Sequence, residues 1–159
     1  MNLWERDILP RHGELEQLPA AARLRIAVES IDWTVRTSST PIEYQRAETW
    51  ITEVITAART AVAQGAGGAE IPGELIDQYD DVDEDAEETG VSQLLMGIAN
   101  LWGSDELTSE ELEGIFYSNY VFSQQREVPE PETLEQEEAS PRCVQVIAHQ
   151  AELITQSAA

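Results

Sequence analysis

Apolar positions recur at helical spacing along most of this chain. The clearest stretch runs over 41–64, where Ala47, Trp50, Ile51, Val54, Ile55, Ala58, Ala61 and Val62 fall three and four residues apart. They form one stripe on a helix about 36 Å long. Thr40 and Glu43 can make a capping box around Pro41 at the first helical position, and Gly65 offers a left-handed stop. A second helix is predicted over 19–37. Leu24, Val28, Ile31 and Val35 line one of its faces, and Ala22, Ile26 and Trp33 line another. A helix apolar on two sides is packed on two sides, and the short turn between the two helices makes them an antiparallel core pair.

The remaining pattern is more broken. Leu3, Trp4, Ile8 and Leu9 predict a short first helix ended by Pro10, with a turn at 11–13. Gly65-Ala66-Gly67-Gly68 reads as a flexible joint within 65–74. Leu75, Ile76 and Tyr79 suggest a short helix that gives way to an acidic loop over 77–90. A helix over 92–102 turns Leu94, Leu95, Ile98, Leu101 and Trp102 inward. Thr108 to Glu111 is a second capping box, opening a helix with Leu112, Ile115, Phe116 and Tyr120. Residues 127–140 form an acidic, proline-bearing linker, expected to be extended. Ser140-Pro141 then opens a last helix carrying Val144, Ile147, Ala151 and Ile154. No stretch sustains period-two alternation, so no strand is expected. The chain reads as a single all-α domain of five to seven helices, bundle-like, with acidic loops.

Charge changes this picture most. The 159 residues carry a net charge of −22, with nine Arg, no Lys and 31 acids. Residues 67–139 hold 21 acids against Arg126 alone, a local net of −20. Such a chain repels phosphate, which argues against nucleic acid and anionic lipid as partners. A basic protein is the natural complement. No segment has the length and apolarity of a membrane span or a signal peptide, and a lone Cys143 suits a reducing compartment, so a cytoplasmic protein is expected.

Candidate chemistry is sparse. Asp81 to Asp85 resembles the start of a calcium loop, but Ala86 stands at the sixth position and Ser92 at the twelfth, where Gly and a bidentate Glu are required. Neither histidine, His12 nor His149, has nucleophile or metal-ligand spacing around it, and no Lys is present for a Schiff base. Neither a metal, a cofactor nor catalysis is expected. The acidic residues Asp77, Asp80, Asp81, Asp83, Glu84, Asp85, Glu87 and Glu88 are instead the candidate docking surface, with Tyr79, Trp102 and Tyr117 as its aromatic anchors.

A small, acidic, helix-rich chain with the acidic stretch 77–88 and the helix-borne Trp50 and Trp102 resembles the immunity proteins of bacterial toxin systems. That resemblance implies tight binding to, and inhibition of, one cognate toxin. Two other readings stand beside it: an acidic DNA mimic or anti-effector, and a structural interaction module.

Overall fold

The computed structural model describes residues 1–158 and is all-helical, with no strand among them. The helices are α1 (Leu3–Asp7), α2 (His12–Gln17), α3 (Ala20–Arg36), α4 (Gln45–Ala63), α5 (Gly73–Glu84), α6 (Val91–Ile98), α7 (Ser109–Glu127), α8 (Leu134–Glu138) and α9 (Pro141–Ser157). Single 3-10 turns at Leu9–Arg11 and Ala99–Trp102 join α1 to α2 and extend α6. The count exceeds the five to seven expected because α2 and α8 occupy stretches read as a turn and a linker. At Leu9–Arg11 the chain does not stop at Pro10: proline at an N-terminal position leaves helical geometry intact, and α2 follows directly.

The centre of the fold is α7, not α4. It packs against α2, α3, α6 and α9. Leu112, Ile115, Phe116, Tyr120 and Phe122 on it are fully buried, and the small polar residues Ser118, Asn119 and Ser123 are buried too. Most polar groups at the centre find partners, although Asn119 Oδ1 has none. Asn119 Nδ2 donates to Ser30 Oγ at 2.7 Å, and Ser123 Oγ donates to the Asn119 carbonyl at 3.1 Å. Gln150 of α9 donates to the Phe116 carbonyl at 2.8 Å and accepts from Trp4 Nε1 at 2.9 Å. Small residues also let α6 approach closely: a Cβ on Gly97 would lie 2.4 Å from the Ser118 Cβ. As expected, α3 is packed on two sides, against α4 on one and against α7 and α9 on the other.

Several end signals act as read. Thr108 and Glu111 form their capping box, Ser140 caps α9 through the Cys143 amide, and Gly65 ends α4 with φ 71°. Gly65 N–H bonds the Val62 carbonyl and Ala66 N–H the Ala61 carbonyl, the paired bonds of a left-handed helix stop.

The N-terminus of α4 departs from expectation. The helix starts at Gln45, and residues 40–44 are not helical. A stronger competitor holds this strip. Glu88 accepts from the amides of Glu43 at 2.8 Å and Tyr44 at 3.0 Å, while Arg126 donates to the carbonyls of Thr40 and Pro41. Those four backbone groups are satisfied by side chains from distant sequence, so no capping box forms at Thr40.

The glycine segment is not a free joint either. Leu107 N–H bonds the Gly67 carbonyl at 2.8 Å, and a Cβ on Gly68 would lie 1.8 Å from the Asp105 carbonyl oxygen. The glycine there permits two backbones to cross, which is a packing requirement rather than a need for flexibility.

The two acidic segments are also more ordered than read. Most of 77–90 lies on α5, because Leu75 and Val82, two turns apart, are both buried. The linker folds one turn of helix, α8, capped by Thr133 and Gln136.

Candidate partner-binding surface

Helix α5 rests on an aromatic layer. Trp50 of α4, 2 % exposed, donates its indole N–H to the Leu75 carbonyl at 2.8 Å. The Trp50 and Tyr79 ring centres are 5.8 Å apart, those of Tyr79 and Trp102 are 5.9 Å apart, and those of Trp50 and Trp102 are 6.0 Å apart at 84°. Tilted and edge-to-face contacts of this kind are favourable beyond the area they bury. Trp50 is the floor. Tyr79 and Trp102 are half-buried and reach the surface. Burial pushes the Tyr79 phenol above its ordinary pKa, and the neighbouring Asp83 and Asp80 push it further.

Outward from this layer α5 exposes Asp77, Asp80, Asp81 and Glu84, and the chain beyond it exposes Asp85 and Glu87. The last two turns of α5 therefore carry acids at the negative end of the helix dipole, where cations are favoured and anions are not. No basic residue lies in the last turn of α5.

Not every candidate belongs to this face. Asp83 accepts from Ser92 Oγ at 2.7 Å and joins α5 to α6. Glu88 is taken up by Arg126, 2.9 Å away, and by the 43–44 amides. Partial burial alone would raise the Glu88 pKa, but the bonds from Arg126 and the Tyr44 and Glu43 amides outweigh it and the net shift is downward. Tyr117 is exposed on a different side of the molecule, packed on Trp4 with ring centres 5.1 Å apart. The structure thus gathers the outward acids of α5 with Tyr79 and Trp102, and separates Tyr117 from them.

Trp102 has a second surface. It helps to line an open cleft of about 960 Å³ between the Gly65-to-Ile71 segment, the start of α3 and residues 103–106. Ile71 and Ile76 add apolar wall, Glu70, Asp105 and Glu106 add carboxylates, and no Arg is among the lining residues. Sequence reading did not find this cleft. Its walls come from segments distant in the chain, and the Gly65-to-Ile71 segment meets residues 103–106 where Leu107 bonds Gly67 and Gly68 crosses Asp105. The available signal was acids flanking a glycine run and a Trp-Gly pair.

A separate constellation surrounds His12. Its Nδ1 lies 2.5 Å from Glu113 Oε1, its Nε2 contacts Glu16, and the carboxylate of Glu110 lies close by. The hydrogen bond to Glu113 pushes the imidazole pKa up, with the Glu16 contact adding to it. Sequence reading missed this group: with 11–13 expected to be a turn, His12 and Glu16 did not read as sharing a helix face, and α7 contributes from about a hundred residues away.

Cys143 is fully buried, and burial pushes its thiol pKa up, which suits packing rather than nucleophilic chemistry. His149 stacks on Trp33 at 3.9 Å with its pKa pushed down by burial. No helix among the described residues is long and apolar enough to cross a membrane.

No protein-family model, no curated protein and no solved structure matches this chain.

Proposed function

We propose that this protein is a non-catalytic acidic binding protein of the cytoplasm that neutralises a basic protein partner. In this reading it is an immunity protein inhibiting a cognate bacterial toxin. The observation that carries the reading is the α5 face: exposed carboxylates at the negative end of a helix, above half-buried Tyr79 and Trp102. Like charges crowded at that end cost stability in the free protein, and a basic partner relieves the cost on binding. Charge of one sign steers an opposite partner and raises the encounter rate. Aromatic groups that are partly exposed supply the anchoring that exposed ion pairs do not. The cleft beside Trp102 extends the same chemistry, since an Arg or Lys side chain entering it meets Glu70, Asp105 and Glu106.

The test is co-expression and kinetics with the protein encoded beside this one. Asp80→Asn, Asp81→Asn, Glu84→Gln and Asp85→Asn together are expected to slow association about tenfold or more at low salt and to flatten its salt dependence. Trp102→Ala is expected to speed dissociation instead. Unchanged association in the fourfold variant refutes docking through α5.

A DNA-mimic or anti-effector reading is favoured by one observation. The acids of 77–84 ride on an ordered helix, and imitation of phosphate spacing needs fixed carboxylates. It differs in one outcome: a DNA duplex would compete with this protein for its partner.

A further inference from the structure

We propose that His12, Glu16 and Glu110 bind one divalent transition-metal ion, with Zn²⁺ the best fit, and that Glu113 orients the imidazole from outside the coordination sphere. Each of the three residues offers a ligand atom, and those atoms all lie within 4.8 Å of one another. His12 opens α2 and Glu16 lies one turn later, the spacing at which two side chains share a helix face. Glu110 comes from the first turn of α7, so the ion would tie α2 to the central helix. One nitrogen and two carboxylate oxygens, with a fourth position left to water, is a donor set that suits zinc.

Glu113 makes this more than a group of exposed acids. Its side chain is 17 % exposed and sits 2.5 Å from His12 Nδ1. A carboxylate there can only accept, so Nδ1 carries the proton. Glu16 can only accept too, so in the metal-free protein Nε2 also carries a proton, and a bound ion takes that proton's place. A carboxylate holding the far nitrogen of a metal-ligating histidine is the usual outer-shell arrangement, and it fixes both tautomer and ring plane.

Charge supports the assignment as well. A protonated His12 would face three carboxylates by itself. Arg23 lies near enough to influence Glu110, but its guanidinium is bonded to the carbonyls of Leu107, Leu18 and Leu15. A dication balances the cluster better than a single proton does. Binding would replace the proton shared between His12 Nε2 and Glu16, releasing it to solvent.

The proposal is independent of the partner reading, because the cluster lies on α2 and α7 and shares no residue with the α5 face. The experiment titrates the chelator-treated full-length protein with ZnCl₂ by calorimetry, and with CoCl₂ by visible absorption. The expected result is one saturable ion per chain and cobalt bands of low-symmetry coordination. His12→Gln and Glu16→Gln, each checked for an unchanged helical spectrum, are expected to abolish the saturable step and the bands. Glu113→Gln is expected to keep the stoichiometry and to weaken affinity by about 10- to 100-fold, the range for loss of an outer-shell partner. The fourfold α5 variant is expected to bind zinc as the parent does. An adventitious ion only is the opposite outcome: many weak sites, insensitive to His12→Gln and reduced by the α5 changes. That result overturns the proposal, and so does a saturable site that survives His12→Gln.

Discussion

Two stretches of this chain look alike in composition and behave differently in the fold. Residues 77–88 and 127–140 are both acidic and poor in apolar side chains, and both invite the description of solvated loop. In the first, helix α5 turns Leu75 and Val82 inward and sends Asp77, Asp80, Asp81 and Glu84 out to water. In the second, helix α8 turns an acid inward. Glu137 is 3 % exposed, accepts from the Tyr120 hydroxyl, and accepts from the Leu3 amide at 3.3 Å. No ion pair among the described residues includes it. The lesson is that acidic content does not locate the water. A short helix presents one inward position per turn, and whichever residue falls there must be accommodated. At Val82 the hydrophobic effect does this. At Glu137 two buried donors do it.

The difference predicts unequal costs. Glu137→Ala leaves the Tyr120 hydroxyl and the Leu3 amide without an acceptor in the interior. An orphaned buried donor costs roughly 1–3 kcal/mol, so a loss of about 2–5 kcal/mol is expected in urea unfolding. Glu137→Gln keeps an acceptor and should lose much less. Equal losses for the two variants would show that the site needs a carboxylate charge, not an acceptor.

Glu88 is the exception inside the α5 segment, and it sharpens the contrast. It lies in the acidic run but behaves like Glu137, holding 43–44 and Arg126. Glu88→Gln is expected to cost about 1–2 kcal/mol, since a charge-assisted bond is worth more than a neutral one. Its carboxyl pKa is lowered in the folded state. Its contribution is therefore present above the unfolded pKa and is lost as pH falls through the folded one. In the parent, amides 43 and 44 should exchange faster as pH drops through the acidic range, after correction for intrinsic rates. In Glu88→Gln they should start fast and show no such step.

These particulars explain what could be read in advance. The all-α class, the bodies of α3 and α4, and the signals at Gly65, Thr108 and Ser140 are local: a stripe at helical spacing or a cap within one turn suffices. The central role of α7 was not legible, because a helix packed on several sides has no single stripe. The packing role of Ser118, Asn119 and Ser123 shows only once Ser30 and the α6 approach are known. The start of α4 failed for a related reason. A capping box at Thr40 is good local chemistry, but Arg126 and Glu88 are better partners and come from elsewhere in the chain. Within the acidic candidate set, exposure could not be assigned residue by residue until Val82 fixed which side of α5 faces inward.

The smallest expected effect is the most telling for function. Asp80, Asp81, Glu84 and Asp85 are exposed and take part in none of the ion pairs among the described residues. Neutralising all four as Asn or Gln removes no internal bond. Surface changes of this kind fall within about 0.5 kcal/mol each, and here two terms favour the variant. The net charge of −22 falls in magnitude, easing self-repulsion. The C-terminal turns of α5 also shed anions from the negative end of the dipole. Stability is therefore expected to be unchanged or slightly raised, most visibly at low salt, while binding to a basic partner suffers. If the fourfold variant instead melts well below the parent, those carboxylates hold the fold, and the α5 face loses its standing as a surface reserved for a partner.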